Sequence, residues 1–174
     1  MMRRLGAVLA GGRSSRFGSN KADALMGGRT LVGHAIETLR RHTDEVVIVG
    51  PNGLPDLPRS DLGPLGGIAA ALDHAAGHGF ACVLTIGCDM PVVPDRLLAA
   101  LVRRAPAFCR DAPVLGYWSA ALGAHLLGHI ETAPDRSVQG WARSIGAVPI
   151  AAPVPLANVN TREDLERLYP ALTA

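Results

Sequence analysis

The sequence predicts a layered α/β domain with a mainly parallel sheet, and three observations support this prediction. Short apolar runs alternate with patterns of helical periodicity along the chain, as they do in α/β proteins. The length of 174 residues fits one domain, since domains cluster at about 100–150 residues. The chain shows no internal repeat, low-complexity tract or interdomain linker.

Short apolar segments predict the strands of this sheet. Glu45–Val49, for example, is rich in Val and Ile and is closed by Gly50-Pro51, a pair that favours a turn. The predicted strands are Leu5–Leu9, Glu45–Val49, Cys82–Ile86, Val114–Trp118 and Val148–Ala151.

Helical periodicity is clear in Leu31–Arg41, whose apolar residues recur on one face. Thr161-x-x-Asp164 has the spacing of a capping box and predicts the start of the last helix. The predicted helices are Leu31–Arg41, Ile68–Ala76, one opened by Pro94-Asp95, Leu122–Ile130, Ser137–Ile145, and one from Thr161 to about Tyr169. Asn52–Gly63 is predicted to be a proline-rich loop.

The composition argues against a nucleic acid as partner. Aromatic residues make up only 4% of the chain, too few for stacking along a nucleic-acid strand. The net charge is +2, and the paired arginines are scattered rather than gathered into one basic block. We therefore expect no nucleic-acid partner.

Neither a membrane span nor a secretory signal is expected. The apolar run Leu5–Ala10 is shorter than the roughly 7–15 residues of a signal peptide, and no segment approaches the ~20 apolar residues of a span. The three cysteines, Cys82, Cys88 and Cys109, lack metal-binding or disulfide spacing. A reducing, cytoplasmic location is the expectation.

The segment Leu9–Lys21 is the first candidate site. Gly11 and Gly12 follow a strand directly and leave backbone N–H groups open to an anion. Arg16 and Lys21 supply positive charge for phosphate. The alternative is a flexible turn with incidental basic residues, but the combination favours phosphate binding, in a pattern distinct from the dinucleotide fingerprint and the P-loop.

Asp89 is the second candidate, because it follows the predicted strand Cys82–Ile86. Ligands of open α/β sheets bind beyond the carboxyl ends of the strands. A carboxylate there suits Mg²⁺, which takes one or two protein carboxylates and completes its shell with phosphate and water. The alternative is that Asp89 only shapes the turn before Pro91.

The third candidate is the segment Asp61–Ile68. Gly63-Pro64 forms a rigid turn, and Gly66-Gly67 permits close approach to a flat ligand before the next helix. A nucleobase pocket and a connection shaped only by packing are both compatible with this pattern.

Taken in order, these segments resemble the molybdenum cofactor guanylyltransferase family over nearly the whole chain. The opening motif is shared by many nucleotidyltransferases, whereas the two glycines after Leu9-Ala10 and the Asn-Val-Asn-Thr motif favour the guanylyl branch. The matching stretches are Leu9–Gly12, Arg16-Phe17-Gly18, Lys21, Gly63-Pro64-Leu65, Asp89-Met90-Pro91, Pro113-Val114, Tyr117-Trp118, Arg136-Ser137-Val138, Trp141 and Asn158-Val159-Asn160-Thr161.

The resemblance implies a single-domain, Rossmann-like, three-layer nucleotidyltransferase fold. It also implies a magnesium-dependent reaction in which the terminal phosphate of molybdopterin attacks the α-phosphate of GTP and pyrophosphate leaves. The nucleotide-binding part would span about residues 1–92, and the acceptor-binding part about 93–174. Other proteins of cofactor biosynthesis, or target molybdoenzymes, are further candidate partners.

The resemblance also assigns roles to individual residues. It places Asp61 and Gly63 near the guanine, and Asn158 and Asn160 against the pterin. The proposed catalytic residues are Arg16, Lys21 and Asp89, of which Asp89 is the magnesium ligand. The proposed triphosphate-binding residues are Leu9, Ala10, Gly11, Gly12, Arg16 and Lys21.

Two alternatives remain open at this point. A cytidylyl- or sugar-phosphate nucleotidyltransferase would use the same loop and carboxylate. A non-catalytic nucleotide-binding protein is less consistent with the presence of both Lys21 and Asp89, because binding alone does not require the metal carboxylate.

Overall fold

Strands from both halves of the chain join one six-stranded sheet in this computed structural model, which describes residues 2–11 and 21–173, with side chains up to residue 170. The strands are β1 (Arg4–Leu9), β2 (Leu25–Met26), β3 (Arg29–Thr30), β4 (Glu45–Val49), β5 (Cys82–Gly87), β6 (Ala107–Cys109), β7 (Ala112–Ser119) and β8 (Val148–Ile150). The helices are α1 (Leu31–Arg40), α2 (Pro64–Gly77), α3 (Asp95–Leu101), α4 (Gly123–Thr132), α5 (Val138–Ser144) and α6 (Arg162–Thr173).

The sheet has the strand order β4-β1-β5-β7-β6-β8. β1 pairs in parallel with β4 and β5, and β6 pairs in parallel with β8. β7 runs antiparallel to its neighbours β5 and β6. The predicted α/β class with a mainly parallel sheet is thus confirmed.

Helices cover both faces of the sheet and give three layers. The side chains of β1 alternate: Leu5, Ala7 and Leu9 enter a core cluster that includes residues of α2, α4 and α5, whereas Val8 enters the opposite cluster with residues of α1 and α3. This period of two is what a strand buried on both faces requires.

Helix α2 begins earlier than the sequence analysis predicted. It starts at Pro64 rather than at Ile68, so Gly66 and Gly67 lie inside its first turns and are not loop residues. Proline is favoured at the first position of a helix, because the N–H that it lacks has no partner there. The expectation of a glycine pair in a loop before this helix was therefore wrong.

The last helix packs on the small hairpin formed by β2 and β3. Met26, Leu31 and Val159 are buried in this cluster, with Leu165 and Leu168 of α6 against them. The predicted capping box is confirmed, since Thr161 Oγ1 accepts from the Asp164 N–H and Asp164 Oδ2 accepts from the Thr161 N–H. Among the residues described, no helix is long and apolar enough to cross a membrane.

Candidate active site

The loops that follow β1, β4 and β5 meet at one edge of the sheet. The Ala10 N–H donates to the carbonyl of Val49 at 2.8 Å, and the Cys88 N–H donates to the carbonyl of Leu9 at 3.1 Å. Parallel strands present their carboxyl ends at the same edge, where α/β proteins bind ligands. Leu9, Ala10 and Gly11, three of the residues predicted to bind triphosphate, lie at this edge.

Lys21 brings two of the other predicted site residues together. Its Nζ lies 3.0 Å from Asn160 Oδ1 and 3.5 Å from Asp89 Oδ2. The first contact is a hydrogen bond, whereas the second is long for one and is best described as an ion pair. The Lys21 side chain is 17% exposed and that of Asp89 is 36% exposed, so both charges face a partly open site.

The position of Asp89 depends on the strand that precedes it. Its carboxylate folds back over Gly87, the last residue of β5, so that a Cβ at residue 87 would stand 2.5 Å from Asp89 Oδ1. The Met90 N–H also donates to the Gly87 carbonyl, which closes the turn. Because Gly87 has no Cβ, the Asp89 carboxylate can occupy the space beside it.

Asn160 reaches the site from the far end of the chain. The Val159 N–H donates to the backbone carbonyl of Asp89 at 2.8 Å, and the Val159 side chain is fully buried. Asn158 and Asn160, on either side of it, are exposed. With Val159 buried between them, the two asparagines lie at the surface, where Asn160 reaches Lys21.

Asp56 is a residue of this region that sequence reasoning missed. A Cβ on Gly66 would stand 3.2 Å from Asp56 Oδ2, and one on Gly67 would stand 3.1 Å from Leu9 Cδ2. The Asp56 carboxylate therefore lies over the start of α2, beside the end of β1. Burial and the nearby Asp61 raise the pKa of Asp56.

Asp61 and Gly63, the predicted guanine contacts, lie in the loop just before α2. Both have positive φ angles, 64° for Asp61 and 63° for Gly63. The assignment of Asp61 to the guanine comes from the family resemblance alone. Asp56 could have been identified as a carboxylate that precedes the two glycines, Gly66 and Gly67. These residues are seen to lie close together only when α2 is known to start at Pro64.

Cys88 lies next to Asp89 but is poorly suited to act as a nucleophile. It is buried, and burial, with a contribution from Asp89, raises the pKa of its thiol to about 11. Because the thiolate is the nucleophilic form, a thiol with this pKa is protonated near neutral pH. Cys88 therefore fills space beside the site as a small buried residue.

The donor set at this edge fits a magnesium ion that is shared with a ligand. In the described ranges, no group of three or more His, Cys, Asp or Glu side chains could hold a metal ion by itself. Asp89 offers one carboxylate, and Mg²⁺ commonly takes one or two such groups with phosphate and water completing its shell. Gly12 and Arg16, also predicted for the triphosphate, lie outside the described residues.

A sequence model of the MobA-like NTP transferase domain matches residues 6–169, which is nearly the whole chain. The chain belongs to the MobA-like NTP transferase family. It is therefore a nucleotidyltransferase, and the arrangement of Lys21 and Asp89 beyond the carboxyl ends of β1 and β5 is that enzyme's candidate active site.

Two curated relatives match this MobA-like chain over nearly its full length. The molybdenum cofactor guanylyltransferase of Rhizobium leguminosarum bv. trifolii (strain WSM2304) is 34% identical, over 97% of this chain and 94% of the relative. The molybdenum cofactor guanylyltransferase of Rhodobacter capsulatus is also 34% identical, over 95% of each protein. The predicted membership of the guanylyltransferase family is confirmed.

Solved structures show that the fold extends beyond this branch of MobA-like proteins. Molybdopterin-guanine dinucleotide biosynthesis protein A from Archaeoglobus fulgidus has a TM-score of 0.75 at 21% identity and covers 97% of this chain and 98% of its own. The 2-C-methyl-D-erythritol 4-phosphate cytidylyltransferase from Thermus thermophilus has a TM-score of 0.69 at 15% identity and covers 100% of both chains. The predicted nucleotidyltransferase fold is confirmed, and the fold by itself does not choose the nucleobase.

Proposed function

We propose that this chain transfers GMP from GTP to the terminal phosphate of molybdopterin, with Mg²⁺ as cofactor. The observation that carries the proposal is the position of Lys21, whose ammonium contacts Asp89 and Asn160 at the carboxyl edge of the sheet. The relatives named molybdenum cofactor guanylyltransferase, at 34% identity over nearly full length, support guanylyl transfer.

The reaction requires no protein nucleophile. An oxygen of the acceptor phosphate, already anionic near neutral pH, forms a bond to the α-phosphorus of GTP. The bond from that phosphorus to the bridging oxygen breaks, and its electron pair leaves with pyrophosphate. Such a transfer depends mainly on alignment and charge neutralisation, which agrees with a protonated, buried Cys88 beside the site.

Lys21 supplies the positive charge that the triphosphate and the leaving pyrophosphate need. Its flexible stem places a compact charge next to phosphate oxygens, and the Asn160 amide oxygen directs one of its N–H donors. Asp89 would hold Mg²⁺, which when bound neutralises phosphate charge. Arg16 and the Leu9–Gly12 segment are proposed to bind the rest of the triphosphate.

We place the guanine beside the start of α2 and the pterin beside Asn158 and Asn160. Guanine carries N–H donors at N1 and N2, so a carboxylate acceptor such as Asp56 complements its edge, with Asp61 close by. Gly66 carries no side chain, so the Asp56 carboxylate can lie within 3.2 Å of its Cβ position, over the start of α2. The exposed amides of Asn158 and Asn160 offer donors and acceptors to a pterin.

The proposal is tested first by ligand binding. A thermal-shift panel of GTP, CTP, ATP and UTP, each with and without Mg²⁺, should show the largest rise in melting temperature with GTP and Mg²⁺. Ligand at 100 times its dissociation constant adds about 2.7 kcal/mol of apparent stability, which such a panel resolves easily. A larger rise with CTP would instead point to cytidylyl transfer.

Turnover completes the test. Purified protein with GTP, Mg²⁺ and molybdopterin should release pyrophosphate and form the guanine dinucleotide, as measured by chromatography. Asp56→Asn should reduce the preference for GTP. Asp44→Asn is the matched control, because that carboxylate accepts from the Arg4 N–H at the opposite end of β1. Nucleotide binding with no transfer would indicate a non-catalytic binding protein.

We also propose that the protein works in the cytoplasm, where its three buried, free cysteines would stay reduced. Proteins of cofactor biosynthesis and target molybdoenzymes are its proposed protein partners, since they would supply the acceptor or receive the product.

A further inference from the structure

The capping box that begins α6 carries one hydrogen bond more than a capping box needs. In the usual arrangement the acidic side chain accepts from the N-cap N–H, here that of Thr161 at 2.9 Å. Asp164 Oδ2 also accepts from the N–H of Asn160, one residue earlier, at 2.8 Å. A single carboxylate oxygen therefore fixes two successive peptide groups just outside the helix.

The additional N–H belongs to the residue that holds Lys21. Asn160 Oδ1 accepts from Lys21 Nζ at 3.0 Å. Because an ammonium group only donates, the contact determines which end of the Asn160 amide faces Lys21. The position of the Lys21 charge thus depends on the Asn160 backbone, and the Asn160 backbone is held by Asp164.

The surroundings of Asp164 favour its charged form. Hydrogen bonds from the backbone N–H groups of Asn160 and Thr161 lower its pKa, and Arg167 lies 3.7 Å from its Oδ1. Hydrogen bonds from neutral donors to a charged acceptor are stronger than those between neutral groups. At neutral pH the charged Asp164 carboxylate therefore holds the backbone N–H groups of Asn160 and Thr161 in place.

The helix that carries Asp164 is itself fixed relative to Lys21. Leu165 and Leu168 pack against Met26 of the β2–β3 hairpin. The hairpin is joined to Lys21 by a short turn in which the Ala24 N–H donates to the Lys21 carbonyl at 3.2 Å. The backbone of Lys21 and the helix that carries Asp164 are therefore both connected to the apolar cluster around Met26.

We infer that Asp164 is a positioning residue, which holds Asn160 so that its amide oxygen keeps the Lys21 ammonium in place for nucleotidyl transfer. The inference rests on the proposed function. Asp164 acts through Asn160 and is not itself a catalytic residue.

Asp164→Ala tests the inference. We expect turnover to fall about tenfold, because small displacements of an aligned group reduce rates by up to about a hundredfold, whereas the calorimetric affinity for GTP with Mg²⁺ should change less than twofold. Asp164→Glu should restore most of the rate, since glutamate is common at this position of a capping box. Asp44→Ala is the control, as it removes another carboxylate that accepts a backbone N–H, at the remote end of β1.

A double-mutant cycle separates positioning from general stability. In an Asn160→Ala background, Asp164→Ala should change turnover less than twofold, because the connecting side chain is already absent. The same tenfold loss in both backgrounds would overturn the inference. If Asp164→Ala does not fold, Asp164→Asn replaces it in the cycle, with a smaller expected loss because its amide oxygen still accepts.

Hydrogen exchange gives a readout that does not depend on turnover. The amides of residues 159–161 should exchange faster in Asp164→Ala than in the wild type, and unchanged protection would overturn the inference. Absence of guanylyl transfer in the wild type would instead contradict the proposed function. The exchange result would still decide whether Asp164 holds the Asn160 backbone.

Discussion

At the scale of single residues, the Lys21 side chain contacts residues proposed for both substrates, the nucleotide donor and the acceptor. One of its contacts is the predicted metal ligand Asp89 and the other is the predicted acceptor contact Asn160. In the sequence, these residues belong to three separate motifs. The family resemblance implies one active site for all three, but their direct contacts could not be predicted, because no periodicity relates positions 139 residues apart.

Lys21→Ala should lower turnover more than it weakens GTP binding. The ammonium stabilises the negative charge that develops as pyrophosphate leaves. Loss of a contact made mainly in the transition state lowers kcat. Steady-state kinetics with calorimetry of GTP binding measures both quantities. A rise in KM alone, with kcat unchanged, would make Lys21 a ground-state tether.

Asp89→Asn should fold normally and lose about a hundredfold or more of the transfer rate. The backbone carbonyl that accepts from the Val159 N–H is unchanged, so the fold is retained, whereas the negative charge is lost. Losses of this size are typical when one electrostatic group of an active site is removed. Turnover with Mg²⁺ and the melting temperature test this prediction, and near wild-type turnover would exclude Asp89 from the mechanism.

Asn158→Ala and Asn160→Ala should differ in effect. Replacing Asn158 should weaken acceptor binding by up to about tenfold, the effect of roughly one hydrogen bond, and leave GTP affinity unchanged. Replacing Asn160 should also lower kcat, because Lys21 loses its 3.0 Å contact. Acceptor titrations beside GTP calorimetry separate these effects; equal losses for both ligands in a destabilised protein would argue against the pterin assignment.

At the scale of elements, close packing between α1 and the sheet depends on a missing side chain. A Cβ at Gly6 of β1 would stand 2.9 Å from Thr43 Oγ1 and 3.1 Å from Leu39 Cβ. Contacts this short cannot be kept without movement of the helix or the strand. Gly6 therefore sets how closely α1 approaches β1.

Gly6→Ala should destabilise the protein by about 1–3 kcal/mol, the usual cost of overpacking a core. Gly77→Ala is the matched control, because nothing lies within 4 Å of its Cβ position in α2. Alanine favours a helix by up to about 1 kcal/mol over glycine, so the control should be neutral or stabilising. Urea unfolding of both variants gives the comparison, and equal stability of the two would contradict the packing argument.

Sequence patterns predicted the long elements and missed three of the four shortest strands. The strand Glu45–Val49 was predicted with the bounds that the structure shows, because its apolar run has clear stops. β2 and β3, with two residues each, and β6, with three, are too short to show a period. The position of Asp56 over the start of α2 was missed for a related reason, since it depends on where α2 starts rather than on any local motif.

At the scale of the whole molecule, the predicted boundary near residue 92 does not divide the sheet. β5 lies before it and β7 after it, yet Cys82–Thr85 pair with Gly116–Ser119. The buried Thr85 hydroxyl donates to the Val114 carbonyl at 2.7 Å and accepts from Trp118 Nε1 at 3.0 Å. The proposed nucleotide-binding and acceptor-binding parts therefore share one core.

The two parts should unfold in a single transition. Trp118 and Trp141, the chain's two tryptophans, are fully buried with ring centroids 4.8 Å apart, so their fluorescence reports on the second part. Far-UV circular dichroism reports on helices of both parts. Coincident urea curves are expected from the two probes, and separate midpoints would show that the parts unfold independently.

The hydrogen bond between Lys21 and Asn160 also has a consequence for the protein while it is being made. The two residues are 139 positions apart, and at about 5–20 residues per second roughly 7–28 seconds separate their synthesis on the ribosome. During that interval Asp89 is the partner of Lys21 that is synthesised first, and the asparagine is still to come. A nascent chain therefore contains Lys21 and Asp89 before it contains the asparagine that aligns the lysine. Because the two parts share one core, we expect the site to be completed only after Asn160 has been made.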